Sequence, residues 1–121
     1  MTYTIDHATR FVHARAEGEV GLKDIEGLLD AIVVENALPY RKLFDGRKGV
    51  GRIRDSDVML LASRLGVLAH IDRRGALALV NAPQYQELAA RFVSIAQSGR
   101  PVRAFLDESE AMRWLEEQPE I

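Results

Sequence analysis

A chain of 121 residues and 13.5 kDa, 47% of them hydrophobic, has the length of one domain and enough apolar side chains for one core. Sixteen Lys and Arg against eighteen Asp and Glu give a net charge of −2, which argues against a dedicated nucleic-acid binder, with its strong basic excess. There is no cysteine, so disulfides, thiolate zinc sites and cysteine nucleophiles are excluded. The opening residues show no basic segment followed by an apolar stretch, so no signal peptide is expected. No apolar run approaches the ~20 residues of a membrane helix. The expectation is one cytoplasmic domain over 1–121 with no membrane span.

The segments 3–7 and 11–17 alternate apolar and polar residues around a turn at Asp6–Arg10, which predicts a β-hairpin. After Gly21 the period changes. Leu22, Ile25, Leu28, Leu29, Ile32 and Val33 form one helical stripe that ends before Asn36 and Pro39. A short strand at 40–45 centres on Leu43 and Phe44, and a loop over 46–54 follows. Asp55 or Ser56 is placed to cap a second helix, with Val58, Leu61, Leu65 and Leu68 on its apolar side. The run 76–80 is continuously apolar, as in a strand covered on both faces. Asn81 and Gln84 have the spacing of a capping box, with Pro83 in the first turn of a third helix carrying Leu88, Phe92 and Ile95. The last strand is 102–106. Asp107 and Glu110 then open a final helix with Ala111, Met112, Trp114 and Leu115. The order ββαβαβαβα implies an α/β fold: a mixed, mostly parallel sheet of about five strands, an N-terminal hairpin and four helices.

That order, with three short stretches, resembles the STAS domain family of anti-sigma-factor antagonists, and within it the bacterial SpoIIAA-like branch. The stretches are Arg41-Lys42-Leu43-Phe44-Asp45, Asp55-Ser56-Asp57, and Val102-Arg103-Ala104-Phe105-Leu106-Asp107 leading to Met112-Arg113-Trp114-Leu115. The resemblance implies a non-enzymatic regulatory module that acts by protein–protein interaction. In phosphorylation-switched relatives the second helix opens with an Asp-Ser-Ser/Thr-Gly motif whose second hydroxyl residue takes the phosphate. Here Asp57 stands at that position and Val58 replaces the glycine, so the usual phosphoserine switch is not expected.

From Arg41 to Arg54 the chain carries six basic residues and one acid, Asp45, interleaved with Gly46, Gly49 and Gly51. Such a segment before a helix start can hold an anion, and equally serves as a solvated turn. The candidate partner- or anion-binding residues are Gly46, Arg47, Lys48, Gly49, Arg52, Asp55, Ser56 and Asp57. The glycine spacing matches neither a Walker loop nor a dinucleotide fingerprint. Asp55, Ser56 and Asp57 also serve as helix caps. His7, His13 and Asp6 share the hairpin, but their placement is read as incidental, and no metal or cofactor is expected. No nucleophile motif is present, so no enzyme is expected. A second reading is a carrier for a small apolar or anionic ligand bound near this same loop, over 46–58.

Overall fold

A computed structural model of the protein describes residues 1–97 and 99–121. In chain order its elements are β1 (Thr2–Asp6), β2 (Phe11–Gly21), α1 (Leu22–Val34), β3 (Arg41–Arg52), α2 (Asp55–Leu68), β4 (Leu77–Val80), a 3-10 turn (Pro83–Tyr85), α3 (Gln86–Ala96), β5 (Val102–Phe105) and α4 (Glu108–Glu117). Among the described residues the five strands form one sheet in the order β1-β2-β3-β4-β5. β1 runs antiparallel to β2, and every other pair is parallel. This is the mixed, mostly parallel ββαβαβαβα fold expected from the sequence.

Strand order equals chain order, so each parallel connection steps in the same direction across the sheet. Right-handed crossovers then place α1, α2 and α3 on one face. The strands alternate accordingly. Val12, Ala14, Leu77 and Val102 join Leu28, Ile32, Leu65, Leu68 and Ala96 in one buried cluster on the α1–α3 side. Leu43, Ala76, Ala78 and Val80 join Ala111 and Leu115 of α4 in a second cluster on the opposite face. The hairpin turn is fixed by Asp6, whose Oδ1 accepts from Ala8 N at 2.9 Å and Thr9 N at 3.2 Å. These two bonds also hold the Asp6 carboxyl below its ordinary pKa.

Three local expectations are revised. The segment 46–52 is strand, not loop: β3 continues to Arg52, paired with β2 from Glu17↔Lys48 to Gly21↔Arg52 beyond a register shift at Ala16. An Arg52–Glu19 ion pair at 2.8 Å joins the two strands there. Gly49 fits because a Cβ there would lie 2.6 Å from the Ala16 Cβ. Asn81 caps nothing; its Nδ2 donates to Ala82 O at 3.0 Å, and the 3-10 turn intervenes before α3. Neither Asp55 nor Ser56 caps α2, which begins at Asp55 with Arg54 as its N-cap residue and the Asp57 carboxylate accepting from Arg54 N. Phe92 of α3 is half-buried and borders a void.

Candidate functional site

Between the sheet and the layer of α1, α2 and α3 lies a cavity of about 210 Å³. That exceeds the ~150 Å³ of an apolar protein cavity that admits benzene. Its floor is the sheet face carrying Ala14, Phe44 and Leu79, and its roof is Leu28, Leu61 and Leu65 from the helices. Ala14 and Ala16 of β2 and Gly46 and Gly49 of β3 are the small residues of the cavity lining. Ion pairs tie the roof together from outside. Arg64 of α2 bonds Glu26 at 2.8 Å and Asp30 at 2.6 Å on α1. Arg91 of α3 bonds Asp55 at the start of α2 at 2.8 Å.

The two ends of the cavity differ. Toward the C-terminal ends of the parallel strands, Gly46, Ile53, Tyr85 and Leu88 are partly exposed. Toward the N-terminal ends, Leu38, Leu68, Leu77, Lys42, Arg74 and Arg100 are all buried. Three cations therefore cluster at the enclosed end. Lys42 follows from strand parity: it lies two residues before Phe44 on the same face of β3. Its Nζ donates to Leu38 O at 2.5 Å and Tyr40 O at 2.6 Å. Arg74, in the connection from α2 to β4, donates to Leu65 O at 3.3 Å. Arg100, between α3 and β5, donates from Nε to Ala96 O at 3.4 Å. Burial, reinforced by the Arg100 and Arg74 guanidiniums, pushes the Lys42 amine well below its ordinary pKa. Burial also lowers Arg74, and burial with Arg74 alongside brings Arg100 down to about 10.

The residues singled out in the sequence lie at the other end or outside. Gly46 and Gly49 line the cavity as strand residues. Arg47 is committed to Asp45 by bonds of 2.9 and 2.8 Å, which hold the Asp45 carboxyl below its ordinary pKa. Arg47 also reaches Glu108 of α4 at 3.5 Å. Arg52 bonds Glu19, and Asp55 bonds Arg91. Asp57 accepts from Arg54 N at 2.9 Å at the start of α2. Lys48 and Ser56 are exposed. These side chains do not converge on one point. His7 and His13 do not face each other: His13 pairs with Thr4 across the hairpin, while His7 bonds Tyr40 Oη at 2.7 Å and Glu35 at 3.0 Å. Among the described residues no group of three or more His, Cys, Asp or Glu is placed to hold a metal ion. Sequence reasoning passed over Lys42, Arg74 and Arg100 as cavity residues. For Lys42 the period-2 pattern carried the signal; for the two arginines, both in connections, no local pattern did.

No helix among the described residues is long and apolar enough to cross a membrane. No family model matches the chain, and no curated protein does. The chain is similar to the solved structure of an uncharacterized protein of the DUF3478 family, described as having a SpoIIAA-like fold, from Shewanella loihica PV-4. The two share 18% identity over 94% of this chain and 92% of that one, with a TM-score of 0.59. At that identity the likeness is one of architecture: the chain has a SpoIIAA-like fold.

Proposed function

We propose that this protein is a non-enzymatic binding domain that takes a small, largely apolar molecule into the cavity beneath α1, α2 and α3. The observation that carries this is the cavity itself, about 210 Å³ with almost wholly apolar walls. Native interiors are packed to crystal-like density, and a void of this size forgoes contacts that a ligand would restore. Among the described residues the wall gives no catalytic constellation: its polar groups are a few cations, a tyrosine and an asparagine, with neither a carboxylate nor a nucleophile–base pair. The test is titration with n-decanol followed by melting temperature and by NMR of the Leu65 and Phe92 side chains. Binding raises the melting temperature and shifts those signals. Ala14→Leu, which places a side chain in the void, removes both effects while the variant remains folded by circular dichroism. If neither decanol nor decanoate perturbs the wild type, the reading fails.

A second reading, a regulatory module that docks a protein partner, is supported by the outer face of α2. Met59 is 68% exposed, Leu60 54% and Val67 62%. This surface adjoins the 46–58 segment expected from the sequence to meet a partner, and it lies on the helix whose inner side roofs the cavity. In this reading ligand occupancy and partner docking share α2. Asp57, held at the helix start, supports a partner surface without a phosphoserine switch. A Met59→Asp, Leu60→Asp double variant is then expected to lose a cross-linked partner in native cells yet keep decanol binding.

A further inference from the structure

Resting on the cavity reading, we propose that the ligand is an apolar chain bearing a compact oxyanion head, which enters tail-last and seats its head between Lys42 and Arg100 at the enclosed end. Burial of a charge is strongly unfavourable unless an opposite charge meets it. Lys42 is 6% exposed and Arg100 9%. Among the described residues no carboxylate forms an ion pair with either. Both line the cavity. An ammonium has three N–H donors, and the carbonyls of Leu38 and Tyr40 take two of those on Lys42. Arg100 donates from Nε alone, to Ala96 O, and the NH₂ groups of its planar fork make no hydrogen bond with described residues. Arg74 adds a third positive charge nearby while bonded to Leu65 O.

This arrangement has a direction. The walls from Phe44 to Leu65 accept a hydrocarbon chain and nothing polar. The enclosed end supplies the positive charge of Lys42 and Arg100, with no described carboxylate paired to either. The partly exposed end, at Ile53, Tyr85 and Leu88, is where a chain can enter or leave. A neutral apolar ligand would leave both cations unmatched. A cationic one would be repelled.

The experiment is a calorimetric titration of the wild-type protein at pH 7 with four ten-carbon probes below their micelle concentrations: decanoate, monodecyl phosphate, n-decanol and decyltrimethylammonium. At least one anion is expected to bind about tenfold or more tighter than decanol, the scale of one hydrogen-bonded charge contact. The tighter of the two anions identifies a carboxylate or a phosphate head. Decyltrimethylammonium is expected to bind most weakly. Lys42→Met and Arg100→Met are each expected to bring the anion-to-decanol ratio toward one. Decanol binding as tightly as both anions overturns the proposal while leaving the cavity reading intact, and this comparison needs no variant. A preference for anions that survives both substitutions also overturns it, by placing the head elsewhere. Binding of none of the four probes removes the cavity reading and this proposal together.

Discussion

Lys42 occupies the position that strand parity dictates, on the face of β3 shared with Phe44 and pointing away from Leu43. What parity does not supply is the depth of cover at that end of the cavity, where Leu68 and Leu77, distant along the chain, join Leu38. The Lys42 charge therefore has a measurable effect on stability. Below pH 10.5 an unfolded lysine holds its proton, while burial and the two neighbouring guanidiniums make the folded one resist it. Between the lowered folded pKa and 10.5 the unfolded state binds more protons, so stability rises with pH across that window. Arg100, lowered to about 10, acts in the same direction at higher pH. Urea unfolding at pH 7 and pH 10 is expected to show a larger gain for the wild type than for Lys42→Met. Equal gains would mean that Lys42 keeps its proton throughout. Gly75 is a second residue-scale determinant. A Cβ there would lie 2.2 Å from Tyr40 O and 2.4 Å from Pro39 O, beside the carbonyls that hold Lys42. Gly75→Ala is expected to cost about 1–3 kcal/mol, the range for forcing extra volume into a packed site. A chemical denaturation midpoint equal to that of the wild type would contradict it.

At the scale of elements, the helical stripes were readable because a 3.6-residue period is a local property. Leu28, Ile32, Leu61, Leu65 and Leu68 all face inward as their spacing required. The continuation of β3 was not readable for the opposite reason. Gly46-Arg47-Lys48-Gly49-Val50-Gly51 has no alternation of its own, and its strand conformation rests on pairing with Glu17–Gly21 of β2. The cross-strand Arg52–Glu19 pair joins residues 33 apart in the chain, a relation no local pattern displays. The helices also carry removable instability. Gly27 of α1 and Gly66 of α2 lie inside their helices with open space where a Cβ would go. Replacing either by Ala is expected to raise stability by about 0.5–1 kcal/mol, because glycine loses more backbone entropy on folding. Thermal unfolding of the two single variants checks this. Phe92 illustrates the converse. A fully packed phenylalanine truncated to alanine costs about 3–5 kcal/mol. Phe92 borders the cavity and already lacks partners on one side, so Phe92→Ala is expected to cost about 1–3 kcal/mol by equilibrium denaturation.

Across the whole molecule, element order and parallel pairing were legible because hydrophobic period and connection length leave few topologies open. The cavity was not. How completely two apolar layers fill the space between them depends on residues of β2, β3 and the helices together, such as Ala14, Phe44, Leu61 and Leu65, and no local pattern displays that sum. The same geometry predicts tolerance to added volume. Ala14→Leu, an overpacking change in a filled core, is expected here to remain within about 1.5 kcal/mol of the wild type because the new side chain enters existing space. A larger loss in urea would show that the space beside Ala14 is not available to a side chain.

The coincidence of strand order with chain order has a consequence in time as well as in space. Each parallel pair joins strands that are consecutive in the chain, so no pairing waits for a distant segment to arrive. Each closure spans one crossover rather than the whole chain, which limits its entropy cost. On a ribosome the sheet can grow by accretion, the hairpin first and one strand with its helix after another. The face opposite the cavity is different. Its cover is α4, made after all five strands, so Leu43 and Val80 stay uncovered until α4 has followed them.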